Sequence, residues 1–118
     1  MPVYTKDRLR RTELVKTYAG NSVDLLMITN FNSSQDEIAG RECIIICSWV
    51  HPGESNASFI MEGFLEFIVS NDKEAKALRD LFVFKVVPML NPDGVIVGNY
   101  RCSLTGLDLN RQWATPDR

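Results

Sequence analysis

An α/β fold, with a mostly parallel or mixed sheet flanked by helices, is predicted by this 118-residue sequence. Three observations predict it. Apolar runs rich in β-branched and aromatic residues occupy positions 23–29, 43–50 and 81–87, which is strand chemistry. The stretch between the second and third runs carries its apolar residues at helical spacing, so strands and helices alternate. Hydrophobic residues make up 45% and charged residues 24% of the chain, as in ordinary globular proteins. The length suits one domain with a real core, not two.

The elements follow in order. Arg8, Arg10 and Arg11 form a basic run near the start, read as a solvated terminal segment. Residues 23–29 follow the turn pair Gly20-Asn21 and precede a polar loop at 30–40, as a strand between two turns would. Residues 43–50 (Cys-Ile-Ile-Ile-Cys-Ser-Trp-Val) are almost continuously apolar, which predicts a central strand covered on both faces. After the loop at His51-Pro52-Gly53, Ser55 or Asn56 is placed to cap a helix over 56–70, with Ile60, Phe64, Phe67 and Ile68 on its inward stripe. Residues 73–80 read as a shorter helical stretch, and 81–87 as a strand stopped by Pro88. Functional loops gather at the carboxyl ends of strands in such sheets, and His51 and Asn91 lie just past two of them.

Charge and composition exclude several classes. A net charge of −2 and a sequence pI near 5.3 do not provide the clustered basic surface of a nucleic-acid binder. The charged start lacks the apolar stretch of a signal peptide, and no apolar run reaches the ~18 residues that span a bilayer. Cys43, Cys47 and Cys102 are odd in number and lack C-x-x-C spacing. They read as reduced cytosolic thiols, with the first two as small buried hydrophobes. No repeat or long linker divides the chain.

His51 and Glu54 are separated by a Pro-Gly turn at the end of a predicted strand, so an imidazole and a carboxylate can converge on one ion. That is half of a zinc site, since catalytic zinc takes three protein ligands and keeps an open position. Asn91-Pro92-Asp93-Gly94 is first a turn. In Asp108-Leu109-Asn110-Arg111-Gln112-Trp113 an amide beside a guanidinium offers planar donors suited to a carboxylate.

Together these segments resemble the metallocarboxypeptidases, and within them the cytosolic carboxypeptidase branch, which trims glutamates or a terminal residue from tubulin tails. The resemblance runs over residues 18–113, through His51-Pro52-Gly53-Glu54-Ser55-Asn56-Ala57-Ser58, Val87-Pro88-Met89-Leu90-Asn91-Pro92-Asp93-Gly94, Gly98-Asn99-Tyr100-Arg101-Cys102-Ser103 and Asp108-Leu109-Asn110-Arg111. It implies a zinc cofactor held by His51 and Glu54, Arg101 as the residue polarising the scissile carbonyl, and Asn110 with Arg111 holding the substrate's terminal carboxylate. It also implies protein C-terminal tails, acidic ones such as tubulin's, as partners, and a cytoplasmic location associated with the cytoskeleton or cilium.

The family's third ligand is a later histidine and its base a later glutamate, whereas His51 is the only histidine here. Residues 1–118 are therefore expected to be the N-terminal half of a zinc carboxypeptidase catalytic domain, inactive alone and exposing sheet edge and apolar surface. If the chain does turn over, a third ligand is expected from a carboxylate such as Asp93 or from a partner chain's side chain. Trp49 stands where relatives of this branch often carry arginine. Two alternatives stay open: an aspartoacylase-like zinc amidohydrolase with a related H-x-x-E site, and a non-catalytic product binding zinc or a tail weakly.

Overall fold

The computed structural model describes residues 6–117. Its elements are strand β1 (Leu9–Lys16), strand β2 (Ser22–Ile28), helix α1 (Gln35–Ala39), strand β3 (Glu42–Cys47), helix α2 (Asn56–Ile68), helix α3 (Lys73–Leu81), strand β4 (Phe82–Val87) and helix α4 (Pro92–Val97), followed by a 3-10 turn at Leu109–Arg111. The sheet order is β1-β2-β4-β3. The two pairings on the β1 side are antiparallel, and β3 runs parallel to β4 from Glu42↔Phe82 to Cys47↔Val87. The sheet is thus mixed, and the parallel pair has the helices α2 and α3 as its crossover, as parallel pairing requires.

The core lies between the sheet and α2. Ile28, Ile68 and Val86 are fully buried, and Phe84 meets Phe64 and Phe82 edge-to-face at centroid distances of 6.0 and 6.2 Å. Met61, Phe64, Leu65 and Ile68 form the inward stripe of α2. The stripe expected from periodicity is partly misaligned with this one: Ile60 is 70% and Phe67 39% exposed. This helix is apolar around most of its circumference, so periodicity alone does not select the face. Ser55 sits at its N-cap position without a side-chain cap bond. The entering turn uses carbonyls instead, with the Ala57 N–H donating to the Glu54 carbonyl at 3.0 Å.

Three further expectations change. The basic run is not a loose terminus. Arg10 and Arg11 lie in β1, Arg11 pairs with Asp24 at 2.7 Å, and Arg8 donates to the Val69 and Ser70 carbonyls just past α2. Buried Arg79 donates to the Ile68 and Ser70 carbonyls beside it, so two guanidiniums satisfy carbonyls that a helix end leaves open. The polar loop contains α1, which Ser34 and Glu37 start with a reciprocal capping box. Among the described residues strand β3 ends the sheet order and does not sit at its centre, and it stops at Cys47. Cys43, Ile45 and Cys47 on its outer face are exposed, and all three cysteines are unpaired. A continuous apolar run reports two coverable faces, not which elements cover them. No helix among the described residues is long and apolar enough to cross a membrane.

Candidate metal centre

The site is assembled where β3 and β4 end. The Ser48 N–H donates to the Val87 carbonyl at 3.0 Å and the Leu90 N–H to the Ser48 carbonyl at 2.9 Å, so the parallel ladder continues past both strands and holds the two loops side by side. Buried Asn91 then joins three segments. Its Oδ1 accepts from the Gly94 N–H at 3.0 Å, and its Nδ2 donates to the Val50 carbonyl at 3.1 Å and the Cys102 carbonyl at 3.4 Å. The predicted turn at Asn91 is therefore also a helix start, with Asn91 as N-cap and Pro92 in the first turn of α4.

Two glycines let the loops close. A Cβ on Gly53 would fall 2.4 Å from the Tyr100 ring and 2.8 Å from the Tyr100 carbonyl, which accepts the Gly53 N–H at 2.8 Å. A Cβ on Gly94 would meet Pro52 Cγ at 2.5 Å. Trp49 enters this loop with φ of +58°, a left-handed conformation that is costly for a bulky residue. Its indole Nε1–H donates to the Pro52 carbonyl at 2.8 Å, tying the entering strand end to the loop.

His51, 7% exposed, is held from both sides. Its Nδ1 lies 2.6 Å from Glu54 Oε2, and its Nε2 lies 2.9 Å from Asp108 Oδ1. The second oxygen of Asp108 accepts from Arg101 Nε at 2.7 Å, and the Asn110 backbone N–H donates to Oδ1 at 3.0 Å. Asp108 titrates at about 2, below its ordinary 3.8, chiefly through the bond to His51 and then those to Arg101 and the Asn110 backbone, against the opposing effect of burial. Both ring nitrogens of His51 face carboxylate oxygens, and a proton on Nε2 given to Asp108 is the arrangement that would leave Nδ1 for a metal beside Glu54. Sequence alone gives Asp108 no role beyond membership of its motif. An acidic residue 57 positions from its histidine has no local signal to connect the two.

The structure thus brings His51, Glu54 and Arg101 together around Asp108. The N–H groups of Arg101 other than Nε make no hydrogen bond among the described residues. Asn110 and Arg111 follow in the 3-10 turn, and both are exposed. Asn110 Oδ1 accepts from Trp113 Nε1 at 2.8 Å, and among the described residues the Arg111 guanidinium donates to the Asn110 carbonyl, with no hydrogen bond from either side chain to His51. Asp93 is not available as a ligand. Its carboxylate, 5% exposed, accepts from the Thr17 hydroxyl, the Ala19 N–H and the Asn21 amide at 2.5–3.1 Å, which pins the β1–β2 turn to α4. Among the described residues no group of three or more His, Cys, Asp or Glu side chains is placed to hold a metal. Imidazole nitrogen and carboxylate oxygen nevertheless suit zinc, and His51 and Glu54 converge at one point, so the pair fits part of a zinc site.

Comparison with known proteins places the chain in a family. Residues 4–117 match the zinc carboxypeptidase family. Cytosolic carboxypeptidase 2 of Mus musculus is 60% identical over 102 residues, which cover 86% of this chain and 12% of that protein. Cytosolic carboxypeptidase 4 of Mus musculus is 54% identical over 112 residues, covering 91% and 10%. Among solved structures, a metallo-carboxypeptidase from Burkholderia cenocepacia superposes with a TM-score of 0.83 at 32% identity, over 93% of this chain and 29% of that one. The chain spans about a tenth of the length of the curated relatives it matches. With a match over nearly its whole length, the chain belongs to the zinc carboxypeptidases.

Proposed function

We propose that this chain contributes the N-terminal half of a zinc carboxypeptidase catalytic domain that removes C-terminal residues, glutamates above all, from acidic protein tails such as tubulin's, in the cytoplasm near the cytoskeleton or cilium. The observation that carries the proposal is the His51–Glu54 pair at 2.6 Å, anchored through Asp108 to Arg101. His51 and Glu54 would hold the zinc, which when bound supplies Lewis-acid polarisation of a carbonyl and lowers the pKa of water to ~7. Asp108 fixes the imidazole and positions Arg101. The N–H groups of Arg101 not committed to Asp108 are donors for the oxyanion that develops on the scissile carbonyl. Asn110 and Arg111, exposed on the same turn, present an amide and a fork of N–H donors to the substrate's terminal carboxylate. A third ligand and a general base come from outside these residues, so the chain alone is inactive.

The test uses an enzyme in which this segment stands within a complete catalytic unit. His51→Ala and Glu54→Ala should each lose zinc and turnover together. Arg101→Ala should lower kcat, by the ~10²–10³ typical of one oxyanion donor, whereas Arg111→Ala should mainly raise KM. Glutamate release from a polyglutamate-tailed peptide is the readout. Wild-type zinc content in His51→Ala, or an Arg101→Ala enzyme within twofold of wild type, would sink the assignment. Steady turnover by residues 1–118 with stoichiometric zinc would overturn the claim that the chain is incomplete.

A further inference from the structure

We infer that Trp49 is a positioning residue for the metal ligands, because its left-handed backbone turns the chain out of the ladder and its indole N–H locks the His51 loop through the Pro52 carbonyl. The inference rests on the reading of His51 and Glu54 as zinc ligands, and adds to it the residue that keeps the two in place.

The turn begins where the ladder ends. Ser48 still belongs to it, with its N–H on the Val87 carbonyl and its carbonyl on the Leu90 N–H. Trp49 then takes a φ of +58°, and among the described residues it is the one non-glycine residue with positive φ. Two positions later His51 is buried. A left-handed backbone is costly for a residue with a Cβ and is normally left to glycine. A bulky residue held there is over-determined by its surroundings, and such positions gather at functional sites. What position 49 gains over glycine is a side chain.

That side chain has one polar group, an indole N–H that only donates. It reaches the Pro52 carbonyl at 2.8 Å. Pro52 is buried and has no N–H, so the carbonyl is its whole backbone hydrogen-bonding capacity. Among the described residues the indole is the only donor to it. The other loop groups are held differently. The Val50 carbonyl accepts from Asn91 at 3.1 Å, the His51 carbonyl from the Glu54 N–H at 3.2 Å, and the Gly53 N–H donates to the Tyr100 carbonyl at 2.8 Å. Trp49 is thus the side chain that closes the loop across His51, from two residues before it to one after. Without the donor, a buried carbonyl is left unsatisfied and must turn to find another. The peptide that carries it leads straight to Gly53 and Glu54. His51 would keep its bond to Asp108, whereas the Glu54 side chain, 54% exposed, would lose its fixed approach.

The test uses an enzyme in which this segment stands within a complete catalytic unit, and it reads zinc instead of turnover. Trp49→Phe keeps an aromatic ring and removes the N–H, whereas Trp49→Gln gives up the ring and restores a neutral N–H donor. In competition with a chelator, Trp49→Phe should bind zinc about tenfold more weakly than wild type, as for residues that stand behind metal ligands. Trp49→Gln should recover most of that loss. A Phe variant that holds zinc as wild type does, or a Gln variant as weak as Phe, means that the bond does not position the ligands, and overturns the inference. A second measurement needs no variant to fold: in isotopically labelled wild-type enzyme the Trp49 indole N–H should be protected from solvent exchange. Exchange as fast as that of a free indole counts equally against the inference. His51→Ala is the control for the underlying reading. If it retains zinc, the ligand assignment falls and the role of Trp49 with it; if it loses zinc while Trp49→Phe does not, only the role of Trp49 falls.

Discussion

One chemical change, a methyl group added to glycine, should have opposite effects at two positions of this chain. At Gly53 the new Cβ would lie 2.4 Å from Tyr100 Cδ2 and 2.8 Å from the Tyr100 carbonyl oxygen. The ring is exposed and has room to swing away. The carbonyl does not, because the Gly53 N–H is bonded to it at 2.8 Å. Relief therefore requires the two loops to separate, which costs that bond, about 0.5–1.5 kcal/mol, and adds overpacking strain of about 1–3 kcal/mol. Against this stands about 0.4–1 kcal/mol gained by restricting the unfolded chain. Gly53→Ala should thus destabilise by about 0.5–4 kcal/mol. Gly63 lies inside α2, where an added methyl would have nothing within 4 Å, so Gly63→Ala should stabilise by about 0.5–1 kcal/mol through helix propensity alone. At about 4 °C per kcal/mol for a domain of this size, the expected shifts in Tm are about −2 to −16 °C and about +2 to +4 °C. Thermal unfolding followed by circular dichroism measures both. A Gly53→Ala chain as stable as wild type would show that the His51 loop does not depend on its contact with Tyr100.

Two other substitutions test neighbouring features. Asp93 titrates below its ordinary 3.8, first because of the Thr17 hydroxyl and then the Asn21 amide and Ala19 N–H, with burial opposing. A lowered folded value means this stabilisation is fully present above the ordinary value and is lost as pH falls through the folded one. Asp93→Asn should flatten that part of an acid-unfolding curve and cost about 1–3 kcal/mol at neutral pH, where an amide donor faces the donors of Ala19 and Asn21; an unchanged acid limb would refute the assignment. At Trp49, with φ of +58°, Gly avoids the left-handed penalty that Ala pays, so Trp49→Gly should be more stable than Trp49→Ala by about 1 kcal/mol. Urea midpoints of the two variants decide it, equal values counting against strain at this position.

The sequence is most legible where one local rule decides the outcome. Residues 23–29 and 81–87 become β2 and β4 within a residue at each end, because dense β-branched and aromatic runs bounded by Gly, Asn or Pro have few alternatives. The helix from Asn56 matches too, ending at Ile68. Failures come where several segments decide together. Leu9–Lys16 reads LRRTELVK, with three basic residues and little apolar alternation, and becomes a strand only because the exposed edge of β2 offers it hydrogen bonds. The exposure of Cys43 and Cys47 depends on what lies beside β3, which no local pattern encodes. At the site, His51 and Glu54 are visible through their spacing, and the structure places both side chains at one point. The roles of Asn91 and Asp108 are not visible, since each acts through partners 11 to 57 residues away.

Those two residues explain how the candidate site holds its shape. Three loops meet at the ends of β3 and β4, and loops fix side chains poorly unless something else fixes the loops. Asn91 spends its amide on the carbonyls of Val50 and Cys102, so the backbone beside His51 and the backbone beside Arg101 are fastened to the same buried side chain. Asp108 then links the side chains themselves, with one oxygen on His51 and the other on Arg101. None of these bonds uses His51 Nδ1 or the carboxylate of Glu54, the atoms a metal would need. The anchoring network is therefore separate from the binding atoms, and of the contacts around His51 only the one to Glu54, at 2.6 Å, has to open for a metal to enter. Preorganisation of this kind lowers the ordering cost that binding must offset, and it comes from residues that touch no metal.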